Sequence, residues 1–278
     1  MAQLPTDLNE FGHFERNTHH KLAQTYHSSF SIVSDRAIEP LLDAAHVKAG
    51  TRLLDVATGP GTLAARAAER GAPVIGVDVA PAMVALARKL HPALDFREST
   101  AEHLSFTASS FDSVISAFGI GHFSMPEHAL TEFARVLVPM GFVALSWWLG
   151  FSRNRINGIF FDVIKELNIS TGSLPPGPSV DRFFDEDRFT QTLRSAGFDR
   201  VRIDTVSFKH TLAGADDLWN LAMGSFARIS TIIRAQTDDV QQQMRIEVER
   251  ATKQYATPHG LEVPVAFRVV SGQRVSVG

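Results

Sequence analysis

The sequence predicts an α/β protein: a mostly parallel sheet covered on both faces by helices. Three observations carry that expectation. Between residues 51 and 148, short apolar runs alternate with helical stretches, and the connections are short. The first run, Leu53-Leu54-Asp55-Val56, opens into the turn Ala57-Thr58-Gly59-Pro60-Gly61. The second run also ends on an acid, Asp78. Open α/β sheets bind ligands at the carboxyl ends of their strands, so two aspartates at two such ends mark a site.

The elements follow in order. Residues 8 to about 47 read as helical, with Leu22, Tyr26, Phe30, Val33 and Ala37 at steps of three and four, continued by Ile38, Leu41, Leu42 and Ala45. Strands are predicted at 51–56, 73–77, 93–97, 111–117 and 141–148. Helices are predicted at 62–70, 81–90 and 126–137; Pro81 and Pro126 stand at helix starts, where a missing N–H costs nothing. After Trp148 the alternation stops. A helix at 186–196 and strands at 201–210 and 265–270 complete the sheet. Residues 151–182, with the proline-rich SLPPGPSVDRFF, and the mostly helical 211–262 are expected to form a lid. Within the latter, DDVQQQMRIEVERATKQY reads as an exposed helix or a partner contact.

Composition narrows the function. The chain has 278 residues, 44% hydrophobic and 21% charged, with a net charge of −3, which is ordinary for a globular domain. No concentrated basic face is visible, so no nucleic-acid partner is expected. There are no cysteines, which removes thiolate ligands, disulfides and a cysteine nucleophile, and fits a cytoplasmic protein. No secretory signal and no apolar run of about 18 residues is visible, so no membrane span is expected. A homodimer is compatible with the sequence.

The glycine turn is a poor dinucleotide fingerprint: Ala57, Gly59 and Thr62 stand where G-x-G-x-x-G needs three glycines. No Gly-Lys-Ser/Thr follows, so it is no P-loop. A carboxylate at Asp78 can hold both hydroxyls of a ribose, a role common to nicotinamide and S-adenosylmethionine enzymes.

The segments LLDVATGPGTLA, VIGVDVAPAMVALAR, STAEHLSF, FDSVISAFGIGHF and FARVLVPMGFVALSWW, in that order, resemble the class I S-adenosylmethionine-dependent methyltransferases. The branch they resemble is the ubiquinone/menaquinone-biosynthesis type and its small-molecule relatives. The resemblance implies a Rossmann-like seven-stranded methyltransferase sheet, last strand antiparallel, with residues 1–50 closing over the cofactor, 51–150 as the binding core, and 183–210 and 263–278 completing the sheet. It implies S-adenosyl-L-methionine as cofactor and S-adenosyl-L-homocysteine as product. Asp55 would organise the loop, lined by Ala57, Gly59 and Gly61. Asp78 would hold the ribose, Val79 and Met83 would flank the adenine, and Thr100, Ala101 and Glu102 would meet its edge. Ser116 and Phe118 would close over the cofactor. Three positions depart from the family: Ala57 and Met140 replace glycines, and Thr100 replaces an aspartate.

Methyl transfer is an in-line displacement that gains much from positioning and needs a base only for a protonated nucleophile. His122, just after the fourth strand, is the candidate catalytic residue, as base or acceptor-orienting group. Tyr26, Phe123, Trp148 and Phe151 are candidates to bind a small, largely apolar or aromatic acceptor. Trp147 and Trp148 are adjacent in a strand and should face opposite ways, so only one is expected at the acceptor. His13, His19, His20, His210 and Arg182 are weaker candidates. His19-His20 has no partners at ligand spacing, so no metal is expected. A protein of this fold that binds the cofactor without transferring methyl, a cyclase or binding module, is the alternative.

Overall fold

The computed structural model describes residues 9–276 except Phe30 and Ser173; the side chains of Tyr26, Ser28 and Ser29 also lie outside the described set. Eight strands form one sheet in the order β3-β2-β1-β4-β5-β8-β6, with β7 paired to β8. The strands are β1 (Leu53–Val56), β2 (Val74–Asp78), β3 (Asp95–Glu98), β4 (Phe111–Ala117), β5 (Leu137–Trp148), β6 (Phe198–Leu212), β7 (Ala256–Thr257) and β8 (Gly260–Arg274). Strands β1 to β5 pair parallel, and β8 runs antiparallel to both β5 and β6.

The expected seven strands are therefore present, and the eighth is the two-residue β7, which turns back on β8 at Gly260. Such a short strand leaves no period to read in the sequence. The late strands also run longer than expected, so 211–212 and 260–262 belong to the sheet rather than to a lid. Central strands are buried on both faces: every residue of β1 is buried, as parallel strands between helix layers must be. The edges are charged instead. Asp95, Arg97 and Glu98 lie on β3; Asp199, Arg200, Arg202, Asp204 and Lys209 lie on β6. These are residues that discourage further strand pairing.

The helices are α1 (Glu10–Ser29), α2 (Ser31–Ser34), α3 (Ile38–Ala44), α4 (Thr62–Glu69), α5 (Pro81–Leu90), α6 (Pro126–Val136), α7 (Arg155–Glu166), α8 (Glu186–Ser195), α9 (Ala215–Ser225), α10 (Ala227–Arg234) and α11 (Asp238–Thr252). Helix α5 starts on Pro81 and stops before His91-Pro92, since the residue preceding proline disfavours helix. Asp185 caps α8 by accepting the Arg188 N–H at 2.9 Å. Helix α1 packs against α5, α9 and α10, above the carboxyl ends of β1 and β2. Helix α11 corrects an expectation. Met244 and Val248, four residues apart, are buried, and the helix packs on α7 and α9, so one face belongs to the core.

Candidate functional site

A cavity of about 510 Å³ lies over the carboxyl ends of β1, β2, β4 and β5 and runs beneath α1, α7 and α10. That is within the range of about 300–1,000 Å³ usual for small-molecule sites. A smaller cavity of about 40 Å³ adjoins it along Ser99, Thr100, Ala101 and Glu102, sharing Glu15, Ala57, Val79, His122 and Phe123 with the first.

At one end backbone and carboxylates shape the wall. Asp78 accepts the Gly59 N–H through Oδ2 and the Ala80 N–H through Oδ1, both at 2.9 Å. Each oxygen spends one lone pair on the backbone and keeps another. Asp55 accepts the Thr58 hydroxyl at 2.6 Å and is 1% exposed. Burial pushes Asp55 up to about 7; the Thr58 hydroxyl offsets part of this and the charge of Asp78 adds to it. Burial also raises Asp78, against the two backbone donors. A Cβ at Gly59 would meet nothing within 4 Å, so its backbone faces open cavity. A buried carboxylate with free lone pairs beside bare backbone suits the sugar of a nucleoside. The residues present fit the adenosine part of the expected cofactor.

Two non-glycine residues at this edge take left-handed backbone: Ala57 at φ 59° and Phe118 at φ 56°. Ala57 thus stands in a left-handed conformation that glycine adopts freely, and carries the cost of its Cβ. Met140, at φ 66°, does the same in the irregular stretch where β5 falls out of register with β4.

The other end of the cavity is aromatic. Phe118 stacks on Trp148 with centroids 3.9 Å apart, and Phe151 stacks on Phe161 at 4.2 Å. Trp147 meets the His122 ring edge-on at 5.6 Å. Both tryptophans line the cavity, which corrects the expectation that only one would. The two side chains leave opposite faces of β5, but the cavity wraps over the strand ends and reaches both. Gly121 makes this packing feasible, since a Cβ there would lie 2.1 Å from the Trp147 ring.

Glu15, His19 and His122 meet between the two ends. His122 Nδ1 lies 2.9 Å from Glu15 Oε2, and His19 Nδ1 lies 3.3 Å from the same oxygen. Glu15 is 2% exposed. Burial pushes its carboxyl up, but the charge and hydrogen bond of His122, with His19 and Arg228, hold it below its ordinary value.

Of the residues expected at the cofactor, Asp55, Ala57, Gly59, Asp78, Val79, Met83 and Phe118 line the large cavity, and Thr100, Ala101 and Glu102 the small one. Two do not. Gly61 caps α4 at φ 83° against Phe96, where a Cβ would come within 2.7 Å of the ring. Ser116 is fully buried beneath Gly119. Of the acceptor candidates, Phe123, Trp148 and Phe151 line the cavity, as does His122; the Tyr26 side chain lies outside the described residues. Of the weaker candidates His19 lines it, whereas His13, His20 and His210 do not. Arg182 pairs with Glu127 and covers the Phe183 ring instead. Sequence reasoning missed Glu15, Asn157, Phe184 and Arg228 in the wall. Glu15 alone left a signal, its four-residue spacing from His19 on one helix face.

Residues 54–145 match the family model described as a methyltransferase domain. The chain is 33% identical over 177 residues to the demethylmenaquinone methyltransferase of Chlorobaculum parvum, covering 58% of this chain and 71% of that protein. It is 32% identical over 173 residues to the ubiquinone/menaquinone biosynthesis C-methyltransferase UbiE of Rubrivivax gelatinosus, covering 58% and 68%. Among solved structures, a putative methyltransferase from an antibiotic biosynthesis pathway of Anabaena variabilis shares the fold. Its TM-score is 0.58 at 17% identity, over 84% of this chain and 96% of that one.

Proposed function

The chain belongs to the S-adenosylmethionine-dependent methyltransferases of the quinone-biosynthesis-like branch, and from that premise we propose that it methylates a small, planar, largely apolar acceptor on carbon, oxygen or nitrogen. One observation carries the proposal: a single cavity joins the Asp78 carboxylate to a chamber walled by Phe118, Trp147, Trp148 and Phe151. Aromatic faces at stacking distance favour a flat ring. A reduced quinone or phenol combines such a ring with a nucleophilic oxygen or carbon.

The cofactor supplies an electrophilic methyl group on a sulfonium. The chain supplies the rest. Asp78 holds the ribose, the backbone of Ala57 and Gly59 lines the cofactor, and Val79 and Met83 flank the adenine. Thr100, Ala101 and Glu102 stand at the adenine edge. His122 orients the acceptor or takes its proton. Phe123, Trp148 and Phe151 hold the acceptor ring and exclude water, which strengthens each electrostatic contact inside. Helices α1 and α2 and the segments 151–182 and 211–262, apart from their strand residues, act as the lid, whereas α3 packs on the sheet against β4, β5 and β8. A cysteine-free chain is suited to the reducing cytoplasm.

The test is incubation with methyl-labelled S-adenosylmethionine and a panel of naphthoquinols, phenols and indoles, read by mass spectrometry. The proposal expects a labelled product from a planar acceptor and production of S-adenosylhomocysteine. Cofactor binding without turnover across the panel would favour a non-transferring protein of this fold.

A further inference from the structure

Glu15 presents a problem that methyl transfer does not solve. It is a carboxylate buried in the cavity wall, and its Oε1 has no hydrogen-bond partner among the described residues. An unpaired buried carboxylate oxygen is costly. His19 and His122 stand beside it. One ligand atom from each of the three residues can be chosen so that all lie within 4.8 Å of one another. We propose that Glu15, His19 and His122 form a binding site for one divalent transition-metal ion, with an open position facing the acceptor chamber. This rests on the methyltransferase function proposed above.

Several observations support it. Glu15 and His19 are four residues apart on α1 and so share one face, while His122 arrives from the turn after β4. All three line the same cavity. The His19 Nδ1 lies 2.9 Å from the Glu15 backbone oxygen. Donation there fixes the tautomer and leaves Nε2 with a free lone pair, the usual outer-shell arrangement of a ligating histidine. Two imidazoles and one carboxylate, with no thiolate, are a donor set for Zn²⁺, Co²⁺, Mn²⁺ or Fe²⁺ with sites left open. Ligand distances of about 2.0–2.2 Å require the cluster to contract by up to about 1 Å. Side-chain rotation suffices, since the two imidazoles are partly exposed.

The surrounding charge is favourable. Asp35, Asp78 and Asp181 line the cavity with Glu15, while Asp55 beside them holds its proton to about pH 7; among the described residues Arg228 is the single lining arginine. The open position would take a hydroxyl or enol oxygen of the acceptor, and a cation beside that oxygen favours its deprotonated, nucleophilic form; His122, as a ligand, would then orient the acceptor through the ion rather than take its proton. The site thus selects an oxygen-bearing acceptor, whether the methyl group ends on that oxygen or on an adjacent ring carbon.

The experiment uses the full chain without an affinity tag, dialysed against chelator. It is titrated with Co²⁺ under visible absorption and with Zn²⁺ in a calorimeter. The proposal expects one equivalent bound at micromolar or tighter affinity. Glu15→Gln and His19→Ala should each weaken it by about tenfold or more. His20→Ala, an exposed neighbour outside the cavity, should leave it unchanged. Ring-nitrogen NMR of the unmodified protein gives an independent measure: Zn²⁺ should move the His19 and His122 signals first. No stoichiometric Co²⁺ band would overturn the proposal, and so would one indifferent to Glu15 and His19; the cluster would then be only a hydrogen-bonded triad. S-adenosylhomocysteine calorimetry on the same samples separates the two claims. S-adenosylhomocysteine binding by protein that takes up no metal refutes the metal site alone, and failure to bind S-adenosylhomocysteine refutes the parent function.

Discussion

The two ends of the cavity are built by different means. At the end proposed for the cofactor the wall is backbone and carboxylate on short loops after β1 and β2, and the carboxylates there are paired: Asp78 with Gly59 and Ala80, Asp55 with Thr58. At the end proposed for the acceptor the wall is side chains from β5, α1, α2, α7 and α10. Several polar atoms there have no partner among the described residues: Ser31 Oγ, Trp147 Nε1, Asn157 Oδ1 and Glu15 Oε1. A pre-formed end whose carboxylates are held by backbone donors suits a ligand bound in one fixed pose. An end with unpaired donors and acceptors among aromatic rings leaves its polar needs to a particular acceptor.

The largest expected effect lies at the acceptor end. Trp148→Ala removes the stack on Phe118 from a nearly buried position and should cost about 3–5 kcal/mol of stability by urea unfolding. Turnover should fall, while S-adenosylhomocysteine affinity changes by less than about threefold. A matching loss of cofactor affinity would show that the two ends are not separable. Asp78→Ala is the converse. It should weaken S-adenosylmethionine binding by about 3 kcal/mol, roughly a hundredfold, in calorimetry.

Acidity sharpens the contrast. The folded state holds the proton on Asp55 up to about pH 7, whereas an unfolded aspartate loses it near its ordinary value of 3.8. Between these values the folded state binds more protons, so raising the pH lowers stability through this group. In denaturant titrations of the ligand-free protein, stability relative to Asp55→Asn should therefore decline from about pH 4 to about pH 7 and then level. A flat difference would mean that Asp55 ionises freely. The smallest effect is at Ala57. Ala57→Gly relieves a left-handed backbone and should stabilise the protein by about 1 kcal/mol, read as a raised urea midpoint.

The cofactor end was legible because its requirements are local. A buried strand, an acid at its end and a glycine turn lie within ten residues, and their spacing survives in any one sequence. The two misplacements there, Gly61 and Ser116, are residues whose packing partners, Phe96 and Gly119, decide which way they face. The acceptor end was legible only in kind. Aromatic residues at strand ends pointed to it, but Phe184 arrives from an irregular proline-rich segment, and Asn157 is a polar position that the apolar period of α7 does not mark. Glu15 joins the site only because α1 folds back over β1 and β2. The pair Trp147-Trp148 obeys the alternation rule, yet both rings line the cavity because it spans both faces of the sheet edge. The hidden face of α11 left little signal: two apolar residues suffice where the partner helices supply the rest.

The most direct test of the central claim is a crystal structure with S-adenosylhomocysteine bound. It should show the ribose hydroxyls on Asp78, the adenine beside Val79 and Ala101, and the sulfur facing the chamber of Phe118, Trp148 and His122. A ligand bound elsewhere, or with its ribose away from Asp78, would contradict the division of the cavity on which the account depends.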